Sequence, residues 1–129
     1  MKIEWMALAA AALILTGCGG GDAKEASVMN ISAQEAKSMM DKEQDEVILD
    51  VREKNEYDSG HIGGAVLLPV GTITEETAAK AIPSKDTTVL VYCRSGMRAG
   101  KAAEKLTAMG YKKVYNFGGI LDWPYEVVK

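Results

Sequence analysis

Histidine is almost missing from this chain: His61 is the only one. With no second imidazole and no suitable ligand set beside it, a metal centre is not expected. A lone histidine usually satisfies local hydrogen bonds, so His61 reads as structural. An excess of basic residues is missing too. The formal net charge is −3, which argues against a nucleic-acid-binding surface. Nor is there an apolar run long enough to cross a bilayer. The longest, Trp5 to Leu15, has eleven residues, where a spanning helix needs about 20. Only two cysteines occur, Cys18 and Cys93; one disulfide between them is formally possible, but the amino-terminal segment gives Cys18 another fate. What remains is an ordinary globular composition, 47% hydrophobic and 26% charged, over 129 residues, enough for one domain.

The rest of the chain is organised around Val89-Leu90-Val91-Tyr92-Cys93-Arg94-Ser95-Gly96-Met97-Arg98-Ala99-Gly100. An apolar run of strand type passes through a short polar turn into Lys101-Ala102-Ala103-Glu104-Lys105-Leu106, a strong helix former. A cysteine at such a turn faces the amino end of the following helix. Free backbone N–H groups and the positive end of the helix dipole meet there. Arg94 and Arg98 flank the sulfur, so the setting favours an anion. The thiolate is the nucleophilic form of cysteine, and Cys93 therefore reads as a nucleophile and not as a buried structural thiol.

Strands and helices alternate on either side of this stretch. Val28-Met29-Asn30 reads as a first strand, and Ser32 and Glu35 are spaced as a capping box. Ala36, Met39 and Met40 give the helix that follows an apolar stripe. Glu46 to Val51 is a second strand, with Val47-Ile48-Leu49 unbroken, as suits a strand covered on both faces. Asp50 and Arg52 stand at its carboxyl end, the edge where open parallel sheets bind ligands. Both are expected to face the crevice holding Cys93, Asp50 as a scaffold and Arg52 as substrate support or ion-pair partner. Glu53 to Gly60 is a polar helical turn. Ala65-Val66-Leu67-Leu68 is a third strand, and Thr72 to Ala81 a helix with Thr72 and Glu75 as its capping box. Thr87 to Tyr92 is the central strand, and Met97 to Met109 the helix behind the loop. Lys112 to Phe117 is the last strand, Gly118-Gly119 a tight turn, and Trp123 a core plug. This order calls for a parallel sheet of about five strands with helices on both faces.

The loop spacing narrows the chemistry. Cysteine-dependent phosphatases place five residues between the cysteine and its arginine. Here Ala99 occupies that position and Arg98 comes one residue earlier. The six-residue loop Cys93 to Arg98 resembles that of the rhodanese family of sulfurtransferases. So do Asp50-Val51-Arg52-Glu53, Glu56-Tyr57, Gly60-His61-Ile62 and Gly64-Ala65 before it. Gly110-Tyr111, Val114-Tyr115-Asn116, Gly118-Gly119 and Trp123 after it also follow the family. The resemblance spans about residues 28 to 128 and implies one rhodanese-like domain, assigned to residues 28–129. It further implies that Cys93 carries a sulfane sulfur as a persulfide, with Arg94, Ser95, Gly96, Met97 and Arg98 as the substrate loop. Arg98 would close and support the ring while Arg94 leans to solvent. A thiosulfate-like donor, a thiol or cyanide acceptor, no cofactor and a monomer follow from it. A binding module without turnover and a cysteine-dependent phosphatase or arsenate reductase are the rival readings. Loop length disfavours the phosphatase and reductase.

Before the domain, Met1 to Gly17 has the length and apolar core of a secretory signal. Leu15-Thr16-Gly17-Cys18 resembles the bacterial lipoprotein box. That resemblance implies lipid on the Cys18 sulfur, a mature chain starting there, and an extracytoplasmic protein anchored to a bacterial membrane. Glu4 departs from the positive start that such signals usually carry. Residues 18–27 are expected to form a flexible tether, the eight residues Gly19 to Ala26 reaching about 15–20 Å.

Overall fold

The computed structural model describes residues 28–42 and 45–129. The signal, Cys18 and the whole 18–27 tether lie outside them. Eleven short elements follow one another. Strand β1 is Met29–Asn30, helix α1 Ala33–Lys42, β2 Val47–Asp50, α2 Lys54–Ser59 and β3 Val66–Leu67. A 3₁₀ turn at Val70–Thr72 leads to α3, Glu75–Ala81. Then come β4, Thr88–Cys93, α4, Met97–Ala108, β5, Lys113–Gly119, and a 3₁₀ turn at Ile120–Asp122. The five strands form one sheet in the order β1-β5-β4-β2-β3, with every pairing parallel. Among the described residues no helix is long and apolar enough to cross a membrane.

Strand alternation decides what each face of the sheet receives. Leu49, Val51, Val89, Val91 and Cys93 face α3 and α4, where Ala78, Ala99, Ala102, Ala103 and Leu106 are buried. The small alanines bring α4 close against the sheet. Ile48, Leu90, Tyr92 and Phe117 face the other way, onto Ala36 of α1, Ile62 and Trp123. Cys93 and its neighbour Tyr92 therefore belong to opposite cores. Trp123 is buried against Phe117, its ring centroid 5.5 Å away, and donates from Nε1 to the Glu126 carbonyl at 3.2 Å.

The capping box expected at Ser32 is present: the Glu35 amide donates to the Ser32 hydroxyl, and the Ser32 amide to the Glu35 carboxylate, each at 3.0 Å. The one expected at Thr72 is displaced. Thr72 donates its hydroxyl backward to the Pro69 carbonyl at 2.8 Å, closing the 3₁₀ turn. The true cap of α3 is Thr74, whose hydroxyl accepts from the Thr77 amide at 3.1 Å while Thr77 Oγ1 accepts from the Thr74 amide at 2.8 Å. The helix thus starts at Glu75 and not at Thr72. Gly118 and Gly119 also differ from expectation: they extend β5, and Gly119 pairs in register with Cys93.

Candidate active site

Strand β4 is buried along Val89 to Cys93 and ends at the sulfur. The loop turns back on itself at Gly96, whose φ of +111° lies in the left-handed region that glycine tolerates. This turn aims the Gly96 amide at Cys93 Sγ, and it donates at 2.9 Å. Of the backbone N–H groups expected to face the cysteine, the Gly96 amide is the one that hydrogen-bonds the sulfur. Met97, Arg98 and Ala99 then open α4, and the first turn of a helix leaves its amides without an intrahelical acceptor. The cysteine is 1% exposed. The thiol is thus buried, contrary to the reading of Cys93 as other than a buried thiol, because the last position of β4 faces the core under α4. Arg94, Ser95 and Met97 beside it in the loop are exposed.

The loop backbone rests on the end of β5. The Leu121 amide donates to the Arg94 carbonyl at 3.2 Å. Asn116 accepts from the Gly118 amide at 2.9 Å through Oδ1, and its Nδ2 lies 3.5 Å from the Gly96 carbonyl. Gly119 sits so close that a Cβ there would stand 2.0 Å from the Arg94 carbonyl oxygen and 2.5 Å from the Ser95 nitrogen. Both obstacles are backbone, so no side chain can rotate clear. Gly119→Ala is expected to push the loop off its seat, costing about 1–3 kcal/mol of stability in the manner of an overpacked core. Sulfur chemistry should fall further than the melting temperature alone explains. Wild-type turnover in a folded Gly119→Ala protein would contradict this. Two adjacent glycines gave the only sequence signal for this contact, and they read as a turn.

The two loop arginines take different places. Arg98 reaches across to α2 and makes a bidentate ion pair with Glu56, Nη1 to Oε1 at 2.8 Å and Nη2 to Oε2 at 3.0 Å. Glu56 also accepts from the Glu53 amide at 3.0 Å, completing the cap of α2. The Arg98 hydrogen bonds dominate in holding the Glu56 carboxyl down to about 2, helped by the Glu53 amide and by the charge of Arg52. Arg94 is exposed and, among the described residues, joins no salt bridge. Sequence reasoning passed over Glu56 because its partner is 42 residues away.

Asp50 and Arg52 stand at the carboxyl edge, but on the face opposite Cys93. Asp50 pairs in register with Tyr92 and accepts from its hydroxyl at 2.7 Å. Arg52 donates to both Asp50 oxygens, from Nη2 at 2.6 Å and Nε at 2.9 Å, and to the Gly60 carbonyl at 2.7 Å. The Ile62 amide in turn donates to the Tyr92 oxygen at 3.0 Å. The expectation that both side chains point into the crevice of the cysteine is thus corrected. Strand alternation sends Asp50 the other way, and Arg52 follows it. Burial raises the Tyr92 phenol far above its ordinary range, so it stays a donor, and hydrogen bonding to Asp50 raises the Arg52 guanidinium. His61 stacks on Tyr57 with centroids 3.7 Å apart, and its Nδ1 lies 2.9 Å from the Tyr57 carbonyl. Among the described residues no group of three or more histidine, cysteine or acidic side chains could hold a metal ion.

A parallel α/β sheet that delivers one cysteine, through a glycine-turned loop, to the start of a helix defines an α/β domain centred on a single thiol. Comparison with known proteins identifies which. The rhodanese-like domain family matches residues 32–125, and the chain belongs to that family. It is 41% identical over 81 residues to the thiosulfate sulfurtransferase PspE of Escherichia coli, covering 63% of this chain and 77% of that one. Against the protein YibN of the same organism it is 30% identical over 127 residues, covering 98% and 85%. The putative sulfur carrier protein YrkF of Bacillus subtilis is 36% identical over 108 residues, and the match spans 57% of its length. Among solved structures, an E. coli rhodanese with anions superposes with a TM-score of 0.60 at 40% identity, covering 65% of this chain and 98% of that one. A rhodanese-like domain from Anabaena gives 0.69 at 26% identity and 77% coverage of both chains.

Proposed function

We propose that this protein is a sulfurtransferase that moves a sulfane sulfur through a persulfide on Cys93. The observation that carries the reading is Cys93 at the carboxyl end of β4, its sulfur hydrogen-bonded by the Gly96 amide and followed directly by α4. PspE, a relative named as a thiosulfate sulfurtransferase, supports the donor class.

In the first step the Cys93 thiolate attacks the outer sulfur of thiosulfate. A new S–S bond forms to Cys93, the S–S bond of the donor breaks, and its electron pair leaves with sulfite. In the second step an acceptor thiolate attacks that outer sulfur. The product is the acceptor persulfide, and the pair of the broken bond returns to Cys93 as thiolate; cyanide as acceptor gives thiocyanate instead. No net oxidation occurs. The backbone amides at the start of α4 and the Gly96 N–H are fixed dipoles available to the negative sulfur, and the exposed Arg94 draws the anionic donor.

Sulfite release from thiosulfate, coupled to a thiol or to cyanide, tests the reading. Catalytic release supports it. A protein that accepts no sulfur from any donor yet retains a thiol or persulfide partner is instead a binding module. The sequence supports a second proposal, that lipid on Cys18 holds the protein at a bacterial membrane facing out of the cytoplasm. Cys18→Ala should then move the protein from the membrane pellet to the soluble fraction, and equal partition of both forms would end it.

A further inference from the structure

Each cation beside the sulfur has its own partner or none, and this division has consequences for the donor. Arg94 stands in solvent, while both Nη atoms of Arg98 are held by Glu56 from another element. The Glu56 carboxylate is doubly anchored, by Arg98 and by the Glu53 amide of its own helix cap, so it cannot swing away without breaking both. A bidentate pair fixes direction as well as distance. The guanidinium is therefore turned to Glu56, and its charge is largely cancelled before a donor arrives.

We infer that Glu56 is a positioning residue that sets the charge of the sulfur-transfer loop, leaving Arg94 as its single free cation and fixing how strongly the loop favours a doubly charged donor over a singly charged one. The inference rests on the sulfurtransferase reading and adds a determinant of donor choice. The hydrogen bonds to Glu56 are the main cause that raises Arg98, and Arg98 itself lies in the same six-residue loop as Cys93. Released from Glu56, it would become a second cation within reach of the donor. Because Arg98 holds the Glu56 carboxyl down to about 2, the pair stays ionised at every pH above about 4. The donor preference of the wild type should then be flat across that range.

The experiment compares thiosulfate, a dianion, with a thiosulfonate, a monoanion that delivers the same outer sulfur and leaves as sulfinate. In Glu56→Gln, which keeps the size of the side chain and loses its charge, the ratio of kcat/KM for thiosulfate to that for the thiosulfonate should rise. The expected rise is on the order of fivefold, the effect of one unit charge about 4 Å away at the dielectric of water. It should be carried mainly by KM. Arg98→Ala alone should lower the ratio, because it leaves the Glu56 carboxylate unpaired beside the loop, and Glu56→Gln placed on it should bring the ratio back up. A merely structural role predicts equal losses on both donors. That result, or a ratio that neither Glu56→Gln nor Arg98→Ala moves, would overturn the inference. If the wild type accepts sulfur from neither donor, the sulfurtransferase reading fails by itself. Alkylation of Cys93 then decides the charge question: the rate with iodoacetate relative to iodoacetamide, read at the Cys93 peptide by mass, rises in Glu56→Gln if the inference holds and stays constant if it does not.

Discussion

Cys93→Ser is expected to abolish sulfur transfer while leaving the protein folded. An alcohol at this position cannot take up a sulfane sulfur as a persulfide, so both half-reactions lose their carrier. Activity should fall to the level of the uncatalysed reaction, and not by the tenfold or hundredfold typical of a supporting group. The fold should tolerate the change. The serine oxygen is close in size to the sulfur and can accept from the Gly96 amide that now donates to Sγ at 2.9 Å. The residue is 1% exposed, so its hydroxyl needs that bond, and a satisfied buried hydroxyl costs about 1 kcal/mol or less. Steady-state sulfite release alongside thermal unfolding checks both halves. Residual turnover within tenfold of wild type would mean that the sulfur is not the carrier.

The second large effect concerns stability. Asp50→Ala is expected to destabilise the domain by about 3–5 kcal/mol, because it leaves a buried guanidinium without its counter-charge. Arg52 is 5% exposed and would keep only the Gly60 carbonyl, while the Tyr92 hydroxyl would lose its acceptor. Against a total stability of about 5–15 kcal/mol for a typical domain, this is a large fraction. Replacing both partners, Asp50→Leu with Arg52→Met, should recover most of the loss, since no charge then remains uncompensated. The Glu56–Arg98 pair makes a useful contrast. Its side chains are 25% and 33% exposed, and exposed pairs contribute about 0–1 kcal/mol. Denaturant titration of the variants tests this. A loss below about 1 kcal/mol for Asp50→Ala would show that water or a shifted side chain rescues Arg52.

The network has a consequence for the site although it faces away from it. Asp50, Arg52, Tyr92 and the backbone of Gly60 and Ile62 tie the ends of β2 and β4 to the segment after α2. Tyr92 precedes Cys93, and α2 carries Glu56. One buried cluster therefore sets both the strand that presents the sulfur and the helix that restrains Arg98.

How far the sequence reaches can be judged from particular residues. Val47 to Asp50 and Thr88 to Cys93 were readable as strands because a central parallel strand is apolar on both faces, and both lie in the middle of the sheet. The loop was readable because its chemistry is contiguous: cysteine, glycine and arginine fall within six residues. The start of α3 was misplaced because Thr77 fills the capping-box position that an acidic residue usually holds, while Thr72 and Glu75 offered the commoner pattern. The orientation of Asp50 was missed because it depends on register. Only the pairing of Asp50 with Tyr92, one residue before Cys93, shows that the carboxylate and the sulfur lie on opposite faces. The Glu56–Arg98 pair and the seat that Gly119 provides for the loop are long-range contacts, and one sequence carries no distance between residues 56 and 98.

Intact-mass measurement of the purified protein after incubation with thiosulfate addresses the central claim most directly. A gain of one sulfur atom, located on the Cys93 peptide, lost on adding cyanide and absent from Cys93→Ser, is the predicted result. An unchanged mass, with Cys93 reduced and the protein folded, would contradict the account.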